Sequence, residues 1–198
     1  MRKEHHVVFV AGLSGVNPWF IKMVNAWGKY GFVPHVYDIN WQDSESFELK
    51  NQKFLNYFDN VQTNGSLVSL VGVSAGGSAV LNAHCDRKES VHRVVNICGR
   101  LKAGTNTVPN LEFASRKSTS FYESVTLFES REPMLSENER KQVLTTRALF
   151  DEVVPTSTTI LTGAENRRLL SVGHMPTIAA AMTVYSRPIA EFIKNLQG

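Results

Sequence analysis

The sequence has little of what marks several large classes of protein. Its 198 residues include two cysteines, no run of 18 apolar residues and no basic cluster longer than a pair. These absences argue against a disulfide-stapled scaffold, a membrane span and a nucleic-acid-binding face, respectively. With 13 glycines and 7 prolines, the chain is also unlike collagen and low-complexity segments.

The remaining composition is that of an ordinary globular protein. Hydrophobic residues make up 42% and charged residues 20%, and 21 Lys and Arg oppose 18 Asp and Glu. A chain of this length predicts one domain over residues 1–198, with a core that needs no metal or disulfide. The first residues resemble a secretory signal only superficially, because Glu4, His5 and His6 interrupt the apolar run. We therefore expect a cytoplasmic protein with reduced thiols at Cys85 and Cys98.

Strand-like apolar runs alternate with helix-like segments along the whole chain. The predicted strands cover residues 7–12, 32–39, 67–73, 91–98, 143–150 and 168–172. The predicted helices follow the N-cap Asn17, span 47–61 and 75–84, include one or two within 100–142 (one of them near 120–129), and end with a helix from 177 that bends or breaks at Pro188. This alternation predicts an α/β fold with one mostly parallel sheet of about six strands and helices on both faces. Functional sites of such folds lie at the carboxyl edge of the sheet.

A serine between glycines follows the third predicted strand. Gly72-Val73-Ser74-Ala75-Gly76 matches G-x-S-x-G, and its place between a strand and a helix is typical of a nucleophile elbow. The serine then occupies a strained turn, and glycines are needed two residues before and after it to avoid the neighbouring backbone. The alternative is an ordinary glycine-rich turn, which could bind phosphate at the helix N-terminus.

Only one of the six histidines follows the carboxyl end of a predicted strand. The other five precede or begin strands, or end a helix, which places them roughly 20 Å or more from Ser74: His5, His6, His35, His84 and His92. His174 remains as the candidate general base. Its alternative role is to cap the last helix.

The same edge argument selects the acid. Asp151 directly follows the fifth predicted strand, whereas Glu152 is adjacent and is expected to point elsewhere. Asp38 and Asp43, after the second strand, are more distant candidates, and a solvated loop carboxylate is the alternative for Asp151. The resulting order of serine, acid and histidine is the one expected for α/β-hydrolases.

At this point the chain resembles the small, lidless bacterial lipases and esterases of the α/β-hydrolase superfamily. The resemblance covers nearly the whole chain and depends on the segments VVFVAGLSG, LVGVSAGG, ALFDEVVP and TGAENRRLLSVGH. It implies an oxyanion hole made by the backbone N–H groups of Leu13 and Ala75, with no metal or organic cofactor. The alternative for Leu13 is that Gly12-Leu13-Ser14-Gly15 forms a plain turn. The sequence departs from the family in having Ala11-Gly12 where an HG dipeptide is common.

No insertion is long enough for a large cap domain, although residues 100–142 could hold a short lid. Without a cap, selectivity would depend on loop residues, for which Trp19, Trp41 and Met175 are candidates. Each of these side chains could equally be plain packing.

The leading hypothesis is a serine hydrolase that cleaves a small-molecule ester or thioester, with no nucleic-acid partner. A peptidase or another hydrolase on the same fold is an alternative, because a triad does not specify the bond. A non-catalytic binding module on a hydrolase scaffold is a second alternative. A nucleotide-binding domain is disfavoured, because both G-x-G-x-x-G after the first strand and a Walker lysine are missing.

Overall fold

The structure is a computed structural model that describes residues 3–62 and 65–195. Its six strands are β1 (His5–Val10), β2 (Val33–Tyr37), β3 (Leu67–Val73), β4 (Val91–Ile97), β5 (Val143–Arg147) and β6 (Glu165–Arg168). Its eight α-helices are α1 (Pro18–Asn25), α2 (Phe47–Val61), α3 (Gly76–Asp86), α4 (Leu111–Ser115), α5 (Thr119–Arg131), α6 (Glu137–Lys141), α7 (His174–Met182) and α8 (Ser186–Lys194). No helix in these described ranges is long and apolar enough to cross a membrane.

The six strands form one sheet in the order β2-β1-β3-β4-β5-β6, and every neighbouring pair is parallel. The predicted parallel sheet with six strands is thereby confirmed. Because all strands run in the same direction, the loops after β1, β3 and β5 and the residues after β6 meet at one edge.

The sheet is buried on both faces. Along β1, Val8 and Val10 pack into a cluster with the apolar faces of α2, α3 and α5, whereas Val7 and Phe9 pack against α1, α7 and α8. Alternate residues of a strand point to opposite faces, so a continuous apolar run is what a doubly covered strand requires. The predicted helices on both faces are confirmed.

Helix α1 begins as the sequence predicts. Asn17 is the N-cap, and its side-chain Oδ1 accepts a hydrogen bond from the backbone N–H of Phe20 at 3.0 Å, with Pro18 at the first helical position. A proline costs nothing there, because the first N–H groups of a helix have no intrahelical acceptor.

Several predicted details of the fold are wrong, among them the end of the fifth strand, which is Arg147 rather than residue 150. The last strand is Glu165–Arg168 rather than 168–172; it is a polar, partly exposed edge strand, so it lacks the apolar run that marks buried strands. The terminal helix breaks at residues 183–185, and Pro188 lies in the first turn of α8, where it is tolerated. The segment 100–142 holds three α-helices rather than one or two. Its last helix, α6, begins with a Ser136–Glu139 capping box, a signature visible in the sequence.

Candidate active site

Ser74 lies in a sharp turn between β3 and α3. Its φ of 53° is in the left-handed region, which non-glycine residues adopt rarely and mostly at constrained sites. A Cβ atom added at Gly72 would lie 2.3 Å from the carbonyl oxygen of Gly76, and one added at Gly76 would lie 2.3 Å from that of Val10. Glycine is therefore required at both positions, as the nucleophile-elbow interpretation predicts.

The structure brings Ser74, His174 and Asp151 into one hydrogen-bonded chain. The Oγ atom of Ser74 lies 2.9 Å from Nε2 of His174, and Nδ1 of His174 lies 2.8 Å from Oδ2 of Asp151. The acid and the imidazole are buried, with 7% and 4% of their surface exposed, whereas Ser74 is half-buried. A serine hydroxyl, an imidazole and a buried carboxylate in this order can carry out proton abstraction and nucleophilic attack.

Irregular pairing beyond β5 and β6 places the acid and the histidine side by side. The N–H of Leu149 donates to the Ser171 carbonyl, and the N–H of Gly173 donates to the Phe150 carbonyl, both at 2.9 Å. Phe150 and Val172 form an isolated parallel bridge. Asp151 and His174 each directly follow this paired segment, so the sheet itself determines their separation.

Asp151 is held in its ionised form. Burial by itself would raise its pKa, but the hydrogen bond from His174 and those from the backbone N–H groups of Val154 and Val153 outweigh burial, so the pKa is below its ordinary value. Both N–H groups reach Oδ1, at 2.8 and 2.9 Å, which leaves Oδ2 for the imidazole. A carboxylate fixed by two backbone donors orients the imidazole and can stabilise its positive charge.

Glu152, which the sequence argument set aside as the acid, contacts the backbone of the histidine instead. Its two carboxylate oxygens lie 3.1 and 3.3 Å from the N–H of His174, the first residue of α7. An anion at a helix N-terminus satisfies donors that have no intrahelical partner. Glu152 thus fixes the start of α7, while Asp151 fixes the imidazole ring.

The loop after β1 presents the backbone of Leu13 next to Ser74. The N–H of Gly15 donates to the carbonyl of Gly12 at 2.9 Å, and this bond orients the peptide that carries the Leu13 N–H. The side chain of Gln42 donates to the carbonyl of Leu13 at 2.9 Å and fixes the following peptide. Sequence reasoning missed Gln42, because its partner is 29 residues away and no local pattern links them.

The two other candidate acids, which follow β2, hold neighbouring loops rather than an imidazole. Asp38 accepts from the backbone N–H groups of Val16 and Asn40, and Asp43 forms an ion pair with Lys50. Neither acid contacts His174, so Asp151 alone of the candidate acids reaches the ring.

The prediction that Trp41 lines a pocket is wrong. Its indole N–H donates to the carbonyl of Ala11 at 3.1 Å, and the ring stacks on Phe47 with 1% of the residue exposed. Trp41 therefore packs in the core and holds the loop after β1 through this hydrogen bond. A buried indole has an apolar body and a donor that needs a partner.

Neither cysteine is an alternative nucleophile. Both are free thiols, as predicted. Cys98 lies near Asp151, but burial first and the Asp151 charge second raise its pKa to about 12. Burial likewise raises the pKa of Cys85 to about 11. A thiol is reactive only as the thiolate, so neither group is activated.

Two cavities meet at Ser74, and Leu13 and Val153 line both of them. The first, which we call the α4 cavity, has a volume of about 330 Å³ and includes Phe113, Arg116 and Lys117 in its wall. The second, which we call the α7 cavity, has a volume of about 370 Å³, and its wall consists mainly of α1, the β1 loop and α7. Within the described residues no large cap domain covers them.

The two other candidate pocket residues, Trp19 and Met175, lie in the wall of the α7 cavity. They are 73% and 63% exposed, so neither belongs to the core. His174 is also part of this wall, whereas it is not part of the wall of the α4 cavity. The two sides of Ser74 therefore differ in chemistry.

Solved structures place this architecture in the α/β-hydrolase fold. A pyrethroid hydrolase from Sphingobium faniae matches with a TM-score of 0.70 at 12% identity, covering 98% of this chain and 99% of that one. Est1E from Butyrivibrio proteoclasticus has a TM-score of 0.65 at 12% identity, covering 96% and 87% of the two chains. A monoacylglycerol lipase from Paleococcus ferrophilus has a TM-score of 0.62 at 14% identity, covering 95% and 93%.

At such low identity these likenesses show the fold, and the chain has the α/β-hydrolase fold. Neither the protein-family models nor the curated proteins include a match to this sequence. The structural neighbours are esterases, lipases and other hydrolases, as the sequence resemblance predicted.

Proposed function

We propose that this protein is a serine hydrolase that cleaves a carboxylic ester or thioester through an acyl-enzyme. The observation that carries the proposal is the chain of two hydrogen bonds from Ser74 Oγ through His174 to Asp151, at 2.9 and 2.8 Å. It lies at the mouth of two cavities, where a substrate can reach the hydroxyl. The esterases and lipases among the structural neighbours support the same class of reaction.

In the acylation step, Ser74 Oγ forms a bond to the acyl carbon while His174 Nε2 takes the hydroxyl proton. The carbonyl electron pair moves to oxygen and produces an oxyanion. As the tetrahedral intermediate collapses, the bond to the leaving group breaks, and His174 gives its proton to the departing oxygen or sulfur. Asp151, kept ionised by its lowered pKa, stabilises the imidazolium formed in between.

The oxyanion is assigned to the backbone N–H groups of Leu13 and Ala75. Ala75 is the N-cap of α3, so its N–H lies at the positive end of the helix dipole. The turn between Gly12 and Gly15 orients the Leu13 N–H, which approaches from the other loop. Water then attacks the acyl-enzyme with His174 as general base, and the acid and free Ser74 are released.

Labelling with a fluorophosphonate tests the nucleophile directly. The reagent should modify the wild-type protein at one site and fail to modify the Ser74→Ala variant. Ser130→Ala is the matched control, because Ser130 is an exposed serine on α5 that bonds only within its own helix. Labelling that persists in Ser74→Ala, or a wild type that is neither labelled nor active on 4-nitrophenyl esters, would overturn the proposal.

A further inference from the structure

Two exposed cationic side chains line the α4 cavity together with Ser74. Arg116 and Lys117 follow α4 directly, and both are exposed. The guanidinium carbon of Arg116 lies 4.2 Å from the centre of the Phe113 ring, which lines the same cavity and is 57% exposed. This cation–π contact keeps the charge beside an apolar wall rather than free in solution.

In the described part of the chain, these two charges have no anionic partner. Within residues 3–62 and 65–195, neither Arg116 nor Lys117 forms an ion pair, and this includes Glu112 on the same helix. The one carboxylate in the cavity wall, Glu152, is directed at the His174 N–H. A small cavity that opens on a candidate nucleophile therefore has a free positive charge.

Arg100, the third cation in the wall of the α4 cavity, already forms hydrogen bonds within the protein. The guanidinium of Arg100 is fully buried and donates to the carbonyls of Lys102 and Pro109 at 3.0 and 2.9 Å and to the hydroxyl of Thr107 at 2.9 Å. These bonds shape the loop that leads to α4. Arg100 thus builds the wall, and the two exposed cations remain available to a ligand.

The position of His174 decides which part of an ester meets these charges. The imidazole must reach the leaving group to protonate it, so the leaving group lies on the side where His174 is exposed to the cavity. That side is the α7 cavity. The acyl group then enters the α4 cavity, whose wall includes Phe113, Arg116 and Lys117.

We propose that the preferred substrate is an ester or thioester whose acyl group is short and ends in an anionic group, a carboxylate in the simplest case. This inference depends on the proposed function. The apolar stem of the acyl group would contact Phe113, Ala114 and Val153, and its terminal anion would pair with Arg116 and Lys117. The volume of about 330 Å³ is at the lower end of ligand sites, which fits a short chain.

A matched pair of substrates tests the charge preference. The mono-4-nitrophenyl ester of adipic acid and 4-nitrophenyl hexanoate have six-carbon acyl chains that differ by a terminal carboxylate. The ratio of their kcat/KM values should favour the adipate by about tenfold in the wild type at low ionic strength, as expected for two exposed ion pairs. The preference should decline with added NaCl, because exposed charges are screened.

Two double variants isolate the cavity from overall charge. The variant with Arg116→Gln and Lys117→Gln should bring the ratio close to one. The control variant with Lys29→Gln and Arg187→Gln makes the same change in net charge outside both cavity walls, and it should keep the wild-type ratio.

The outcomes separate the inference from the function on which it depends. Hydrolysis of hexanoate with a wild-type ratio of one or less overturns the charge preference and leaves the serine hydrolase intact. A ratio that the cavity variant does not lower, or that the control variant lowers equally, also overturns it. Hydrolysis of neither ester, without fluorophosphonate labelling, overturns both proposals.

Discussion

Two serine–histidine hydrogen bonds of equal length lie at opposite edges of the sheet. At the carboxyl edge, Ser74 Oγ lies 2.9 Å from His174 Nε2. At the amino edge, Ser69 Oγ lies 2.9 Å from His5 Nε2. Both serines belong to β3 or to the turn that ends it, so the pair of residue types alone does not distinguish the two places.

The surroundings of the two pairs differ in three respects. Ser69 is fully buried within a regular strand, whereas Ser74 lies in a left-handed turn that opens on two cavities. His174 has the Asp151 carboxylate on its second nitrogen, whereas His5 packs edge-on against the ring of His92 at 5.2 Å. Burial first, and then the neighbouring His92, His6 and Lys194, lower the pKa of His5 to about 4.

The comparison teaches that a hydroxyl bonded to an imidazole is not by itself a catalytic unit. Activation needs a carboxylate that stabilises the imidazolium, and attack needs an accessible oxygen on a turn that exposes it. Only the carboxyl edge supplies both, because loops from several parallel strands converge there.

Asp151→Asn should produce the largest effect, because it leaves the Ser74–His174 pair without a carboxylate. The pair would then resemble the Ser69–His5 pair. The asparagine keeps an oxygen for the N–H groups of Val153 and Val154 but presents an NH₂ group to the imidazole, which favours the wrong tautomer. We expect kcat for a 4-nitrophenyl ester to fall by about 10³ to 10⁴ with little change in the thermal unfolding midpoint.

Glu152→Gln is the matched control for that experiment. It removes a neighbouring charge from the His174 backbone without touching the ring, so its effect on kcat should be at least tenfold smaller than that of Asp151→Asn. A larger loss of kcat in Glu152→Gln would show that the acid is wrongly assigned.

The second prediction concerns the amino edge and its stability. Below pH 6.5 the unfolded chain protonates His5, whereas the folded chain does so only near its pKa of about 4. The unfolded state therefore binds more protons in this interval, and stability falls as pH decreases from about 6.5 to 4. For His5 we expect a loss on the order of 2 kcal/mol, a value discounted for the partial exposure of the ring.

Urea denaturation at a series of pH values measures this dependence. His5→Gln should reduce the slope of unfolding free energy against pH between 6.5 and 4, while kcat/KM at pH 7 stays at the wild-type value. His35, His84 and His92, whose pKa values are also lowered by burial first, should contribute to the slope that remains. An unchanged slope in His5→Gln would contradict the assignment.

Gln42→Met should produce the smallest of the three effects. It tests whether Gln42 orients the loop after β1 at the carboxyl edge. The substitution keeps the length of the side chain but removes the donor to the Leu13 carbonyl. The loop that presents the Leu13 N–H then loses one of its two orienting bonds. We expect kcat to fall about tenfold, less than the loss of an oxyanion donor itself, with KM changed by less than about threefold.

Gln42→Glu provides the control, because it also lacks the donor but stays polar. Both variants should lose kcat by similar factors if orientation of the loop is the cause. A change confined to KM would instead place Gln42 in substrate binding within the α4 cavity, whose wall it shares.

Much of the candidate site at the carboxyl edge could be predicted from the sequence alone. The spacing of Gly72 and Gly76 around Ser74 identified the elbow, because only glycine fits where the backbone comes within contact distance. Asp151 and His174 followed from parallel topology, since every strand in such a sheet ends at the same edge. The buried strands β3 and β4 were predicted almost to the residue, because both are rich in valine and other apolar residues.

The remaining features depended on contacts between distant segments. β6 escaped prediction because an exposed edge strand has no apolar run, and Trp41 was misplaced because aromatic residues serve cores and pockets alike. The hydrogen bonds from Gln42 to Leu13 and from the His174 N–H to Glu152 join residues that no periodic pattern connects. The lack of an ion pair at the cations after α4, among the described residues, also depends on which side chains lie nearby in space. Local periodicity determines which elements form, whereas tertiary packing decides which side chains meet, because hydrogen bonds and charges act through space rather than along the chain.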